Sequence, residues 1–383
     1  MRISPYLALC GFLFTGCRNS NVDSTDASPP IIKNLRYYTH FPFNFVYTST
    51  IAIGGQTIET VMDTGSSNLL VIGDASHCVG CVNEYGYTST YTPGAGSTAL
   101  SSSWTMNFAP IGSAKVTGYQ DAVKVDGISL PAFSFGMVVQ EKEIPNIWGL
   151  AYSQLANPSI APQMPLFDSL VQARNLEDQF SLKLCGRKSG SRIVLGGFDT
   201  DAKLDQVKWT PIQGKRWYTV SVSRMSLMPT TSASTWTWDP IAFDTLIVDS
   251  GTNPLVLPSD QVAILVSVLQ EVAENAGISI PTTFWPTTGQ GGTATLSDAE
   301  IAKFPPIVLT LDNQQDLTTS ISLSISPSIY FQTQEDGQRF LGIEPGRGSF
   351  SILGTVFMEN YVVLHDRGSV NRLGFFPVAG LCM

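Results

Sequence analysis

Two short stretches of this chain repeat one pattern, and that repetition limits the folds open to it more than any other feature. Residues 60–71 read Thr60-Val-Met-Asp63-Thr-Gly-Ser-Ser-Asn-Leu-Leu-Val71 and are followed later by Ile147-Trp-Gly-Leu150. Residues 246–256 read Leu246-Ile-Val-Asp249-Ser-Gly-Thr-Asn-Pro-Leu-Val256 and are followed by Ile352-Leu-Gly-Thr355. Each copy is an apolar run of strand type ending in Asp-Thr/Ser-Gly, with an apolar-apolar-Gly element further on. One such tripeptide alone reads as an Asx-turn whose carboxylate caps its own loop. Two copies with the same flanks predict a duplicated structural unit, one in each half of the chain.

The 383 residues are 43% hydrophobic, enough for a large core, and that length divides into two lobes better than it packs into one. The 33 Gly and 23 Pro fall between short runs rich in Val, Ile, Thr, Phe and Tyr, and stretches of helical period are scarce. An all-β chain is expected. Acidic residues outnumber basic ones, 31 to 22, for a formal net charge of -9, with no block of Lys and Arg of the kind that binds a phosphate backbone. Nucleic acid is therefore excluded as a partner. Few cations also limit the positive charge that accumulates as carboxylates protonate, which suits work at low pH.

Two carboxylates held close together share one proton, because like-charge repulsion keeps one protonated while the other ionises. Such a pair supplies an acid and a base at once, the combination that amide hydrolysis needs when neither metal nor covalent nucleophile is used. Asp63 and Asp249 are thus the candidate catalytic residues, acting through an activated water. Gly65 and Gly251 let backbone amides approach the carboxylates. Other chemistries are poorly provided for. His40, His77 and His365 are the only histidines, with no His-Glu-x-x-His and no Gly-x-Ser-x-Gly elbow, so neither a metal nor another cofactor is expected. A glycosidase also uses two carboxylates but has no need of paired Asp-Thr/Ser-Gly turns.

The N-terminus reads as an export signal. Arg2 precedes an apolar stretch at 6–14, too short to span a bilayer, and Phe14-Thr15-Gly16-Cys17 resembles a bacterial lipoprotein cleavage box with Cys17 as the lipidated residue. The other reading is an ordinary signal peptide over 1–17 in which Cys17 stands by chance. Residues 18–35 then form a polar tether. The location implied is periplasmic or cell-surface with a lipid anchor, otherwise secreted. Four cysteines remain in the body, Cys78, Cys81, Cys185 and Cys382, and an exported chain pairs them as two disulfides with three connectivities open. Cys78-x-x-Cys81 fits a small structural loop better than a redox motif or half a zinc site, since no second ligand pair and no βαβ context accompany it.

Taken together, the paired Asp loops, Gly149-Leu-Ala-Tyr152, Leu166-Phe-Asp-Ser-Leu170, the segments 180–186 and 194–199, and Ser351-Ile-Leu-Gly-Thr-Val-Phe-Met-Glu-Asn-Tyr361 resemble the pepsin family of aspartic peptidases over nearly all of 37–382. That family is the usual example of two carboxylates sharing a proton. The resemblance implies a bilobal acid-protease fold, with an N-terminal lobe over 36–205 and a C-terminal lobe over 206–383. It also implies a cleft between them for extended peptide or protein substrates, an acid optimum, pepstatin sensitivity and a monomer. Thr64 and Ser250 would tie the two loops together. Ser66 and Thr252 would bond the outer carboxylate oxygens, while Gly149 and Gly354 let a second strand pass behind. Segment 180–186 is most similar to the membrane-anchored β-secretase branch, which implies Cys185–Cys382 and leaves Cys78–Cys81.

The sequence departs from the family pattern at the flap, at Asn253 and at the N-terminus. Leu70 stands where the family has a Trp, and the flap Tyr that would meet it falls on Phe108, followed by Ala109-Pro110 in place of Gly. Losing both partners leaves neither polar group unpaired, and Phe108 remains an apolar lid. With the hairpin aligned differently, Tyr119 or Trp104 serves instead. Asn253, a Ser or Thr position in the family, is a milder change. There is also little room before a first strand near 45–53 for an inhibitory propeptide. The altered flap keeps a second class open, a catalytically silent binding or inhibitor protein, against which both intact aspartates argue.

Overall fold

The computed structural model describes residues 27–40, 44–81, 89–108, 112–141, 144–157, 164–230, 232–240, 245–316, 318–346 and 350–383. Cys17, the rest of the signal reading and tether residues 18–26 lie outside them.

The repeat in sequence is a repeat in topology. In the first half, Gln56–Asp63 and Leu69–Ile72 leave a gap that Ile147–Gly149 fills, parallel to the first strand (Val61↔Ile147) and antiparallel to the second (Leu69↔Trp148). In the second half, Phe350–Leu353 enters between Thr245–Val248 and Leu255–Pro258 with the same senses, parallel at Ile247↔Ile352 and antiparallel at Leu255↔Leu353. Each Asp loop therefore emerges beside an inserted third strand, and the apolar-apolar-Gly elements of the sequence are those strands.

Around these centres the halves differ. The first builds an eight-stranded sheet that turns back on itself, since Asn44–Ile53 pairs with Gln56–Asp63 and again, at Ile53↔Val123, with the long strand Gly112–Val125. The second carries a five-stranded and a four-stranded sheet. Helix Ser259–Asn275 covers them, burying Val262, Leu265, Val266, Leu269 and Val272 at the three- and four-residue spacing of one helical face.

A six-stranded sheet joins the halves in the order Ile31–Asn34, Arg192–Leu195, Gln179–Lys183, Tyr361–Asp366, Arg372–Pro377, Lys208–Pro211. Three strands come from each half, and the central pair, Ser181↔Leu364, crosses between them. The fold is all-β and bilobal. The tether reading fails over Ile31–Asn34. This stretch is an edge strand of the joining sheet, held by backbone pairing to Arg192–Leu195 and by Lys33 Nζ on Asp126 at 3.1 Å. A four-residue edge strand shows only weak alternation, so the polar residues around it hid it.

Candidate active site

The inserted strands hold both Asp loops from behind. A Cβ at Gly149 would lie 2.5 Å from the Ser67 carbonyl carbon, and one at Gly354 would lie 2.6 Å from the Thr252 oxygen, so only glycine lets the loop and the strand meet. Backbone bonds lock each contact: Leu150 N–H donates to Asp63 O at 2.7 Å, and Thr355 N–H to Thr252 O at 2.8 Å.

The carboxylates have matched surroundings. Asp63 Oδ1 accepts Gly65 N–H at 2.8 Å and its Oδ2 accepts the Ser66 hydroxyl. Asp249 Oδ1 accepts Gly251 N–H at 2.8 Å and its Oδ2 accepts the Thr252 hydroxyl at 2.7 Å. Each aspartate is 8% exposed. A Cβ at Gly65 would sit 2.6 Å from the Asp249 carboxyl carbon, and one at Gly251 2.6 Å from that of Asp63, so each carboxyl rests against the other loop's glycine.

Four bonds exchange between the loops. Thr64 Oγ1 donates to Val248 O at 3.0 Å and accepts Ser250 N–H at 2.9 Å, while Ser250 Oγ donates to Met62 O at 2.6 Å and accepts Thr64 N–H at 3.1 Å. Both hydroxyls are buried and fully used, so the two loops are fixed in relative position. Burial first, and the neighbouring Asp249 charge second, hold the Asp63 carboxyl well above the usual carboxylate range; the Ser66 and Gly65 bonds oppose this only in part. The arrangement brings together all eight residues that the sequence placed at the site: Asp63, Thr64, Gly65, Ser66, Asp249, Ser250, Gly251 and Thr252.

Other supports were not visible in the sequence. Trp217 Nε1 donates to Gly65 O at 3.1 Å and Tyr218 Oη to Leu150 O at 2.7 Å, so adjacent aromatics of the second half brace the loop of the first. Asn253 is fully engaged: Gln332 bonds it in both directions, at 2.7 and 3.3 Å, and the Thr355 hydroxyl donates to its Oδ1 at 2.8 Å. Its first-half counterpart, Ser67, donates to Tyr152 O at 2.7 Å.

The hairpin in which the sequence set the flap is formed by Thr98–Phe108 and Gly112–Val125, with Phe108 opposite Gly112. Residues 109–111 and the Phe108 side chain lie outside the described residues. Tyr119 pairs with Ala99 and Phe135 at the hairpin's base, its ring edge-on to Tyr91 at 6.5 Å, far along the strand from the tip. Trp104 is different. It packs on the buried cluster of Leu70, Ile72, Val116 and Val138. A Cβ at Gly136 would meet Leu70, Val116 and the Trp104 ring together, at 2.6, 2.6 and 3.2 Å. An indole on the flap strand thus lies against Leu70, and its Nε1 is buried without a partner among the described residues.

The structure bonds Cys78 to Cys81 and Cys185 to Cys382. The second bridge anchors the C-terminus beside the joining sheet, where Ser189 and Met383 exchange backbone bonds at 2.8 and 3.1 Å.

Comparison with known proteins agrees with this geometry. The family model described as eukaryotic aspartyl protease matches residues 46–378. Among similar proteins, pepsin A of Suncus murinus is 28% identical over 350 residues, covering 87% of this chain and 81% of its own. Pepsin-2B of Gadus morhua is 27% identical over 352 residues, 87% and 96% of the two chains. Cathepsin E of Aquarana catesbeiana is 27% identical over 362 residues, 87% and 79%. With the match running from strand Asn44–Ile53 to just past Arg372–Pro377, and so through both Asp loops, the chain belongs to the eukaryotic aspartyl protease family.

Proposed function

We propose that this chain is an endopeptidase that cleaves peptide bonds in acid through a water activated by Asp63 and Asp249. The observation that carries this reading is the pair of buried carboxyls, each with two local donors and fixed to the other by the Thr64 and Ser250 exchange. The pair shares one proton, because burial and the like charge beside it favour the neutral form of a carboxyl in this site. The ionised carboxyl takes a proton from the water as the water oxygen attacks the scissile carbonyl carbon, and the protonated carboxyl gives its proton to the carbonyl oxygen. A tetrahedral diol results. The carboxyl that took the water's proton gives it to the amide nitrogen, the C–N bond breaks, and one of the diol's two hydroxyl protons returns to a carboxylate of the pair, leaving the carboxylic acid and a free amine. No atom of the protein becomes bonded to substrate.

Peptide enters extended, in the cleft between a lobe ending near 205 and one beginning near 206. Apolar residues flank the cut, and the chain acts as a monomer without a cofactor. Residues 1–17 direct export, with Cys17 lipidated; mass spectrometry of the mature N-terminus checks this, and a start other than modified Cys17 refutes it.

The test is incubation with a denatured protein between pH 3 and 6, with and without pepstatin. Pepstatin-sensitive cleavage is expected. Its absence throughout that range defeats the peptidase reading and favours a silent binding protein, the alternative that the flap's missing Tyr and Trp keep open.

A further inference from the structure

A cavity of ≈ 650 Å³ opens where the two halves meet, lined by Tyr37, Tyr38 and Thr39 of strand Arg36–His40, by Arg187 and Lys188 of the turn 186–191, and by Glu335. Its place relative to the candidate dyad follows from strand register. Continuing the pairing of Asn44–Ile53 with Gln56–Asp63 two residues past Thr48↔Val61 sets Val46 level with Asp63, and Tyr38 pairs with Val46. The Tyr38 backbone therefore stands two strands, about 10 Å, from that of Asp63. On the other side, Gln332 bonds Asn253, in the loop after Asp249, and the next residue, Thr333, receives Arg187 through Nε and Nη2 at 3.2 and 3.1 Å. The Thr39 hydroxyl donates to Glu335 across the gap. The cavity is thus a side chamber at one end of the interlobe cleft.

Its charge is unbalanced. No carboxylate lies within ion-pair distance of Arg187 or Lys188 among the described residues, whereas eight other Lys and Arg side chains form salt bridges. Arg187 is exposed, yet its two bonds to Thr333 O fix its plane and leave Nη1 free. The Tyr37 ring is held by stacking on Phe45 at 5.7 Å, and the residue faces the buried Glu359 carboxyl. Tyr38 is committed to Glu59, and Glu335, the carboxylate in the lining, to Thr39. An oriented guanidinium and an ammonium form a donor set for a carboxylate.

We propose that this chamber binds the side-chain carboxylate of a Glu or Asp on the substrate, three to five residues from the cut bond on one side. The inference rests on the peptidase reading and deepens it. An extended chain covers about 10 Å in three residues, which sets the nearer limit. Because a free Glu side chain is half-ionised near pH 4.3, the preference switches on above that pH while the dyad still works in acid.

The test uses peptides identical at the cut and carrying Glu or Gln at each of the third to fifth positions on either side. At pH 5.5 we expect kcat/KM about five-fold higher for Glu at one position on one side. The ratio approaches one at pH 3.5, and at pH 5.5 it is abolished in an Arg187→Gln, Lys188→Ala double variant. Arg187→Gln keeps a donor for Thr333 O while removing the charge. Absence of a preference at every position overturns the proposal, as does one that survives the double variant. Affinity of the same peptides for an Asp63→Asn protein, read by fluorescence polarisation, separates the two claims. No cleavage with the Glu/Gln affinity ratio intact refutes the peptidase and keeps the chamber. Equal affinities refute the chamber.

Discussion

Glu359 offers a way to weigh the contact between the lobes. It follows the short helix Thr355–Met358 of the second half, is 8% exposed, and its Oε1 accepts the Tyr47 hydroxyl of the first half at 2.6 Å. That hydroxyl in turn accepts Gly186 N–H at 2.7 Å. Tyr37 and Tyr47 face the carboxyl, and no cation pairs with it among the described residues, so burial pushes it from the usual 4.5 up to about 7 against the opposing pull of the Tyr47 bond. A raised carboxyl stabilises the fold fully below its unfolded value, pH 4.5, and that stability is lost as pH rises to about 7. At about 1.4 kcal/mol per pH unit, the loss is about 3 kcal/mol. His365 pulls the other way: buried against Phe180 at 4.2 Å, it is lowered from 6.5 to about 3, so it weakens the fold as pH falls from 6.5 towards 3. Replacing Glu359 by Gln keeps an acceptor for Tyr47 and removes the titration, and His365 cancels in the comparison. Urea unfolding of both proteins at pH 4, 5.5, 7 and 8, in an Asp63→Asn background that prevents self-digestion, measures the difference. The variant should gain about 3 kcal/mol on the parent between pH 4 and 8. Two curves that stay within about 1 kcal/mol of each other throughout would refute the reasoning, because a carboxyl that ionises freely has no such penalty.

Other outcomes follow from the same contacts. The bridge Cys185–Cys382 spans 197 residues and Cys78–Cys81 only 3. Loop-entropy arithmetic then gives about 5 kcal/mol against about 2, and thermal melts of Cys382→Ser and of a Cys78→Ser, Cys81→Ser double variant should rank in that order. Trp104→Ala should lower kcat/KM about ten-fold through the flap, while Trp104→Phe, which still fills the space over Leu70, stays within about three-fold of the parent; equal losses would show that the indole nitrogen, and not packing, matters. Asn253→Ala leaves the buried Gln332 amide without its partner and the Thr355 hydroxyl with only the long bond to the residue 253 carbonyl at 3.5 Å, and should cost about 2 kcal/mol in urea unfolding.

How much of this was legible in sequence depends on the range of the contacts. The eight loop residues could be found because the bonds to each carboxylate come from two and three residues downstream, as from Gly65 and Ser66 to Asp63, and the duplication supplies an internal check. The joining sheet could be anticipated only as a sheet. Its edge strand Ile31–Asn34 is fixed by backbone pairing to residues about 160 positions away, which leaves no periodic trace. Tyr47 and Glu359, 312 residues apart, form one buried pair that neither local context announces. The same holds for Trp217 on Gly65, a separation of 152. At the flap, Leu70 was readable as a change from the family pattern, but that Trp104 lies against it depends on hairpin register, which a single sequence does not determine.

The central claim is that Asp63 and Asp249 act as one unit. It is tested most directly by cleavage of a denatured protein at pH 4 by the parent, Asp63→Asn, Asp249→Asn and the double variant, with near-UV circular dichroism to confirm that each is folded. Each single change should reduce the rate by at least about 10³-fold, and the double variant should be no slower than either single one. A folded single variant that retains a tenth or more of the parental rate, or losses that multiply in the double variant, would contradict a shared proton between these two carboxyls.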